Sequence, residues 1–243
     1  MQKLLTEIDL LRKKIQELYP LSDHMLQQLK EYYRIGLTYS SNALEGNSLT
    51  ESETKIAIED GLTVGGKPLR DYFEAIGHSE AYDFMFTLIK GDVISQEDIK
   101  TLHRFFYKRI DETNAGTYRN EKVFISGSKY SCPNPEQVPI LMKQLVDRLP
   151  QLKKTNHPVE YAALVHKEFV FIHPFVDGNG RVARLLMNTA LLQAGYCIAI
   201  IPPILRAQYI QALEDAHAND ASFKELIAQQ VKEACKDYLR LIE

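Results

Sequence analysis

The chain has 243 residues, 45% of them hydrophobic and 25% charged, with a formal net charge of -3. That composition is of an ordinary globular domain able to bury a real core. The charge gives no general attraction to nucleic acid, so a nucleic-acid partner is not expected. Cys132, Cys197 and Cys235 lie far apart with no metal-type spacing, which suits a reducing cytoplasm. Neither a signal peptide nor a stretch apolar enough for a membrane is evident, so a cytoplasmic protein with no membrane partner is expected.

In chain order, Leu4, Leu5, Ile8, Leu11, Ile15 and Leu18 recur every three or four residues and predict a helix over 2–19, stopped by Pro20. A second helix is expected after Ser22 and Asp23, running towards Ser41, and Gly46-Asn47 breaks it. Thr50 and Glu53 form a capping box for a helix over 52–60, followed by a loop over 61–68 and a helix from about Leu69 to Lys90. Ser95 caps another over about 96–110. Between Gly116 and Pro135, the aromatic and β-branched residues around Ser126-Gly127-Ser128 predict a short β-hairpin. Helices resume over about 136–149 and 158–171. The stretch 180–194 is apolar almost all round and should be a central buried helix ended by Gly195. Two further helices, about 203–217 and 221–242, complete a mainly α, all-α class fold with one hairpin.

Ahead of the buried helix lies a run from His173 through Asp177, Gly178, Asn179 and Gly180 to Arg181 and Arg184. Glycines at a helix start let backbone N–H groups approach an anion, and the helix dipole favours negative charge there. Arg181 and Arg184, at i and i+3, offer two guanidinium groups to phosphate oxygens. Asp177 supplies a carboxylate for a divalent cation, and a neutral His173 accepts a hydroxyl proton near neutral pH. Singly, each residue reads as a turn, cap or surface charge. Together they predict phosphoryl or nucleotidyl transfer with His173 as the base.

This run resembles the signature of the Fic (filamentation induced by cyclic AMP) family, His-x-Phe-x-(Asp/Glu)-Gly-Asn-Gly-Arg-x-x-Arg, at every defined position. The resemblance is best over about 94–230 and includes the segment 101–104. It implies transfer of AMP from ATP to a Tyr, Thr or Ser hydroxyl of a target protein, with Mg²⁺ or Mn²⁺ at Asp177. It further implies a phosphate cradle at Gly178, Asn179 and Gly180, β- and γ-phosphate contacts from Arg181 and Arg184, and Phe175 in the core. The predicted hairpin resembles the family's target-docking flap. Val123, Phe124, Ile125 and Ser126 are expected along the nucleotide, and 123–133 is expected to bind the target as an added strand. Tyr209 is expected to line the adenosine pocket. At 217, where the family often has Asn, this chain has His217.

Upstream, Ser41, Glu45 and Gly46 are similar to the family's inhibitory motif, (Ser/Thr)-x-x-x-Glu-(Gly/Asn). The resemblance implies that Glu45 pairs with Arg184 and removes the γ-phosphate's partner. The expected organisation is an N-terminal inhibitory region over 1–93, a core over 94–231 and a helix end over 232–243. A homodimer is expected as well. Removal of AMP from a modified target, dependent on Glu45, is the second enzymatic reading, and a silent binding module is the third. Two signals are set aside. The segment Gly61 to Lys67 mimics a phosphate loop, but Pro68 stands where Ser or Thr is needed. His157, His166 and His173 lack the companions of a zinc site.

Overall fold

The computed structural model describes residues 1–63, 65–91 and 93–242. Ten α-helices account for most of it: α1 (Gln2–Glu17), α2 (Asp23–Ala43), α3 (Glu51–Glu59), α4 (Leu69–Thr87), α5 (Gln96–Tyr107), α6 (Val138–Thr155), α7 (Pro158–Ile172), α8 (Asn179–Gln193), α9 (Arg206–Asp215) and α10 (Ala221–Ile242). Short 3₁₀ turns, Pro135–Gln137 and Pro203–Leu205, lead into α6 and α9. The local signals act as expected. Ser22, Thr50 and Ser95 each accept a backbone N–H at a helix start, with Glu53 and Asp98 closing two capping boxes.

Helix α8 is the axis of the molecule, with every residue from Arg181 to Leu191 buried. Burial of each large apolar side chain such as Leu185 or Leu186 contributes about 1.5–3 kcal/mol. One core cluster joins Leu5 and Ile8 of α1, Leu29 and Leu37 of α2, Val182 and Met187 of α8, and Ile227 and Val231 of α10. Helix α10 runs unbroken through position 231.

Two expectations need correction. Helix α6 does not stop at 149 but passes through Pro150 to Thr155. Pro150 is exposed, so the bond it cannot donate is missing on the solvent side. The predicted hairpin over 123–133 contains no strand among the described residues. Its backbone groups are engaged elsewhere: Ser128 N–H turns back to the Ile125 carbonyl (3.1 Å), and Lys129 N–H binds the Glu214 carboxylate of α9 (3.0 Å). Arg119 takes the carbonyls of Glu121 and Pro133 at the two ends of the loop (3.0 and 2.7 Å). The result is a loop pinned by side chains rather than a ladder.

Candidate active site

His173 ends α7 in the left-handed conformation (φ 51°, ψ 60°), the one described non-glycine residue with positive φ. Such a conformation is costly for a side-chain-bearing residue and must be held by its surroundings. Arg119, itself buried, does so from below, donating to the His173 carbonyl (2.8 Å) while its own N–H binds the Pro174 carbonyl (2.9 Å). His173 Nδ1 lies 3.3 Å from the Val170 carbonyl, which places the ring proton on Nδ1 and leaves Nε2 as the acceptor. Burial holds the imidazole below its ordinary pKa, against the Val170 contact, so it is neutral at pH 7.

The loop that follows is folded on itself. The Asn179 side chain accepts from Phe175 N–H (2.9 Å) and donates to the Phe175 carbonyl (2.8 Å). Asn179 therefore shapes the cradle with its side chain and offers its backbone N–H to a ligand. Phe175 is buried, stacked on His103 at 3.8 Å between ring centres. His103 reaches the Asp177 carbonyl (3.1 Å) and accepts Gly116 N–H (2.9 Å), so α5 fixes the loop from behind. Gly178 opens α8 with φ 78°, and a Cβ there would stand 2.8 Å from the Phe106 ring. The first return bond of α8 is Val182 N–H to the Gly178 carbonyl (3.0 Å), which leaves the N–H groups of Asn179, Gly180 and Arg181 to an outside acceptor, while Gly178 N–H is held by the Asp177 carboxylate (2.6 Å).

The two arginines are gripped differently. Arg181 pairs with Glu74 and Asp177 (both 3.0 Å) and lies over the Phe106 ring. Arg184, 2% exposed, donates to Ser41 Oγ (2.9 Å), the Ser41 carbonyl (2.8 Å), Glu45 Oε1 (2.7 Å) and the Tyr209 hydroxyl (3.2 Å). The expected Glu45–Arg184 pair is present. Helix α2 stops at Ala43, and Gly46 (φ 95°) and Asn47 return their N–H groups to Ala43 and Asn42 in a Schellman turn. That turn swings the Glu45 carboxylate over Gly180, where a Cβ would collide with it. Burial works to raise the Glu45 carboxyl, but Arg184 and then Arg181 outweigh it and hold it below the usual range.

A cavity of about 300 Å³ is lined by Glu45, His173, Gly180, Tyr209, Ile125 and Ser126, among others. Val123 and Phe124 lie outside it, and Phe124 is 89% exposed. His217 lines its far end, stacked between Phe171 (3.7 Å) and Tyr130 (3.6 Å).

Arg70, Glu74, Arg119 and Arg206 are the site residues that sequence reasoning missed. Arg70 lies 2.5 Å from Asp177, and Arg206 donates to the Leu44 carbonyl (2.7 Å) beside Glu45. Each reaches a partner far off in the chain, and no local motif marks it. In the Gly61–Lys67 segment, Lys67 binds the Ser48 carbonyl (2.5 Å) and Glu53, away from the cavity; Val64 lies outside the described residues. Of the histidines set aside for zinc, His157 binds Asp9 (3.2 Å) and His166 binds Tyr209 (2.9 Å).

A helical frame around a Gly-Asn-Gly helix start, with a neutral histidine on one side and two buried arginines on the other, defines a Fic-type domain. Residues 93–191 match the Fic/DOC family. The protein adenylyltransferase Fic of Nematostella vectensis is 36% identical over 242 residues, covering 98% of this chain and 56% of that protein. Its Drosophila melanogaster counterpart is 36% identical over 201 residues, covering 82% and 40%. The chain thus spans about half the length of these relatives. Among solved structures, Fic-1 (residues 134–508) from C. elegans superposes with a TM-score of 0.89 at 31% identity, covering 98% of this chain and 72% of that one. A Fic domain containing signaling protein from Bacteroides thetaiotaomicron gives 0.88 at 28% identity and covers 97% of both. The chain belongs to the Fic/DOC family.

Proposed function

We propose that this chain transfers AMP from ATP to a Tyr, Thr or Ser hydroxyl of a target protein, or of itself, and that residues 1–93 hold the activity in check. The observation that carries the reading is the Glu45 carboxylate, lying over Gly180 at the start of α8 and paired with Arg184. It stands where an anion cradle would receive phosphate. The relatives' printed name, protein adenylyltransferase, supports the reaction class.

In the reaction, His173 Nε2 takes the proton of the target hydroxyl, whose oxygen attacks the α-phosphorus of ATP. The bond to the bridging oxygen breaks and pyrophosphate leaves. The open N–H groups of α8 receive phosphate oxygens, and Arg181 and Arg184 hold the β- and γ-phosphates. Ile125, Ser126 and Tyr209 line the space for the nucleoside.

Asp177 fits Mg²⁺ or Mn²⁺, because one carboxylate suffices where phosphate oxygens complete the shell. Its present partners, Arg70 and Arg181, are themselves cationic. Arg181, Gly178 N–H and Arg70 together outweigh burial and keep the carboxyl ionised. When bound, the ion supplies charge neutralisation on the phosphates.

The exposed Phe124, with Ile125 at the cavity, favours target docking along 123–133. The reading places residues 94–231 as the catalytic core, in the cytoplasm, and 232–243 as the helix end, which α10 forms as far as Ile242. No described helix is long and apolar enough to cross a membrane. Exposed Leu10, Leu18 and Leu26 offer apolar surface to a second copy. A second reading is favoured by Glu45 sharing the cavity with His173. With 35% of its side chain accessible, this carboxylate can orient a water that removes AMP from a modified target.

Incubation of the wild-type chain and Glu45→Gly with α-labelled ATP and Mg²⁺ tests the first reading. At least about tenfold more protein-bound label is expected from Glu45→Gly. Equal labelling overturns it.

A further inference from the structure

Arg184 makes four side-chain hydrogen bonds, and three of them belong to the N-terminal arm: Ser41 Oγ, the Ser41 carbonyl and Glu45. Withdrawal of the end of α2 would break all three together. What remains is the Tyr209 hydroxyl at 3.2 Å, with the Tyr209 ring centre 5.8 Å from the guanidinium carbon. A buried guanidinium held by so little needs a partner whose lone pair is permanently turned towards it.

The direction of the Tyr209 hydroxyl follows from donor counting. Arginine only donates, so the Tyr209 oxygen accepts from Arg184. Its own single proton then has one acceptor within reach, His166 Nε2 at 2.9 Å. His166 Nδ1 is buried with no hydrogen-bond partner. If the ring proton sits on Nδ1, Nε2 accepts and only that N–H is unpaired. If it sits on Nε2, two donors point at one oxygen, and both the Tyr209 proton and the Nδ1 lone pair are stranded. The first arrangement leaves fewer buried polar groups unmatched.

The surroundings enforce it. His166 is 0% exposed on α7, and Phe223 of α10 closes on both His166 and Tyr209 (5.1 and 6.3 Å between ring centres). Burial, followed by the Arg184 charge, holds the imidazole neutral with a pKa of about 3. A second buried imidazole, His78, binds Thr38 of α2 and so belongs to the arm rather than to the core.

We infer that His166 is a positioning residue: through the Tyr209 hydroxyl it keeps Arg184 aimed at the terminal phosphate after Glu45 has left. The inference rests on the proposed function for what Arg184 grips. The geometry of the chain Arg184–Tyr209–His166 stands apart from that reading.

The test uses Ser41→Ala with Glu45→Gly as the parent, which removes both side-chain partners that the arm gives Arg184, and adds His166→Leu, His166→Gln or Tyr209→Phe. ATP and AMP binding in Mg²⁺ are measured by calorimetry, and exchange of the Arg184 Nη–H protons, one of which binds Tyr209, with water by arginine side-chain NMR. His166→Leu should weaken ATP roughly tenfold while leaving AMP within about twofold, and Tyr209→Phe should weaken ATP at least as much. His166→Gln, whose amide oxygen can accept the Tyr209 proton, should recover most of the loss. Arg184 exchange should speed up in the first two variants and not in the third. In His166→Leu, unchanged ATP affinity, equal losses for ATP and AMP, or unchanged Arg184 exchange overturns the inference. Should His166→Leu not fold, His166→Phe, which keeps a ring and removes the acceptor, carries the same comparison. If the parent binds no nucleotide, the proposed function falls, and the exchange measurement still decides whether His166 positions Arg184.

Discussion

His173 and Arg184 stand 11 residues apart around one helix start, yet different parts of the chain hold them. His173 is set by α7 and by Arg119, both within the core. Arg184 takes three of its four bonds from Ser41 and Glu45 at the end of α2. Asp177 lies between, shared by Arg181 of the core and Arg70 of the N-terminal region. On the proposed function, the base is built into the catalytic half, whereas the groups for phosphate and metal are held in part by the N-terminal region. An arrangement of this kind can be switched without disturbing the proton acceptor.

The largest effect expected on the base side is that of His173→Ala in the Glu45→Gly chain. Loss of a general base should lower protein labelling by roughly a thousandfold, with ATP binding by calorimetry nearly unchanged. A parallel loss of ATP binding would erase the proposed division of labour. Arg119→Leu probes the same side through the backbone. Stranding the His173, Glu121 and Pro133 carbonyls should cost about 3–5 kcal/mol in urea unfolding. A cost below about 1 kcal/mol would mean that α7 alone sets His173.

Acid probes the arginine side without any substitution. His78 and His166 are held by burial near pKa 3 and His103 near 4, against an unfolded value of 6.5. In that interval the unfolded chain binds protons that the folded chain refuses, so stability is full above pH 6.5 and declines below it. Each group contributes up to about 1.4 kcal/mol per pH unit until its folded pKa is reached. Between pH 6.5 and 5 the three together should remove about 5 kcal/mol, and His78→Asn, which abolishes one of them, should flatten the slope. A stability curve level across that range would show that these rings are not neutral by burial.

Much of this was legible in the sequence because the signals were local. Apolar spacing gave the helices, Thr50–Glu53 and Ser95–Asp98 gave their starts, and the run from His173 to Arg184 gave the candidate site. Even the Glu45–Arg184 pair followed, since each partner lay within a motif of its own. Illegible features were those decided by remote partners. Arg70 meets Asp177 across 107 residues and Arg206 meets Leu44 across 162, without any pattern to connect them. The 123–133 segment has β-favouring residues, but Arg119 and Glu214 claim the backbone groups a ladder would need. Pro150 signals a stop, yet the helix passes through it where water replaces the missing donor.

Gly180 has one further consequence. Its bare Cα is the floor on which the Glu45 carboxylate rests, and a single methyl group there would collide with it. On the proposed function the same floor receives phosphate, so inhibitor and substrate are rivals for one volume. Inhibition of that kind is competitive by construction. Its strength is set by how often the arm vacates the glycine, and substitution at 180 would unseat the inhibitor and the nucleotide in the same stroke. A freed and working enzyme has to be sought at Glu45, on the other side of the contact.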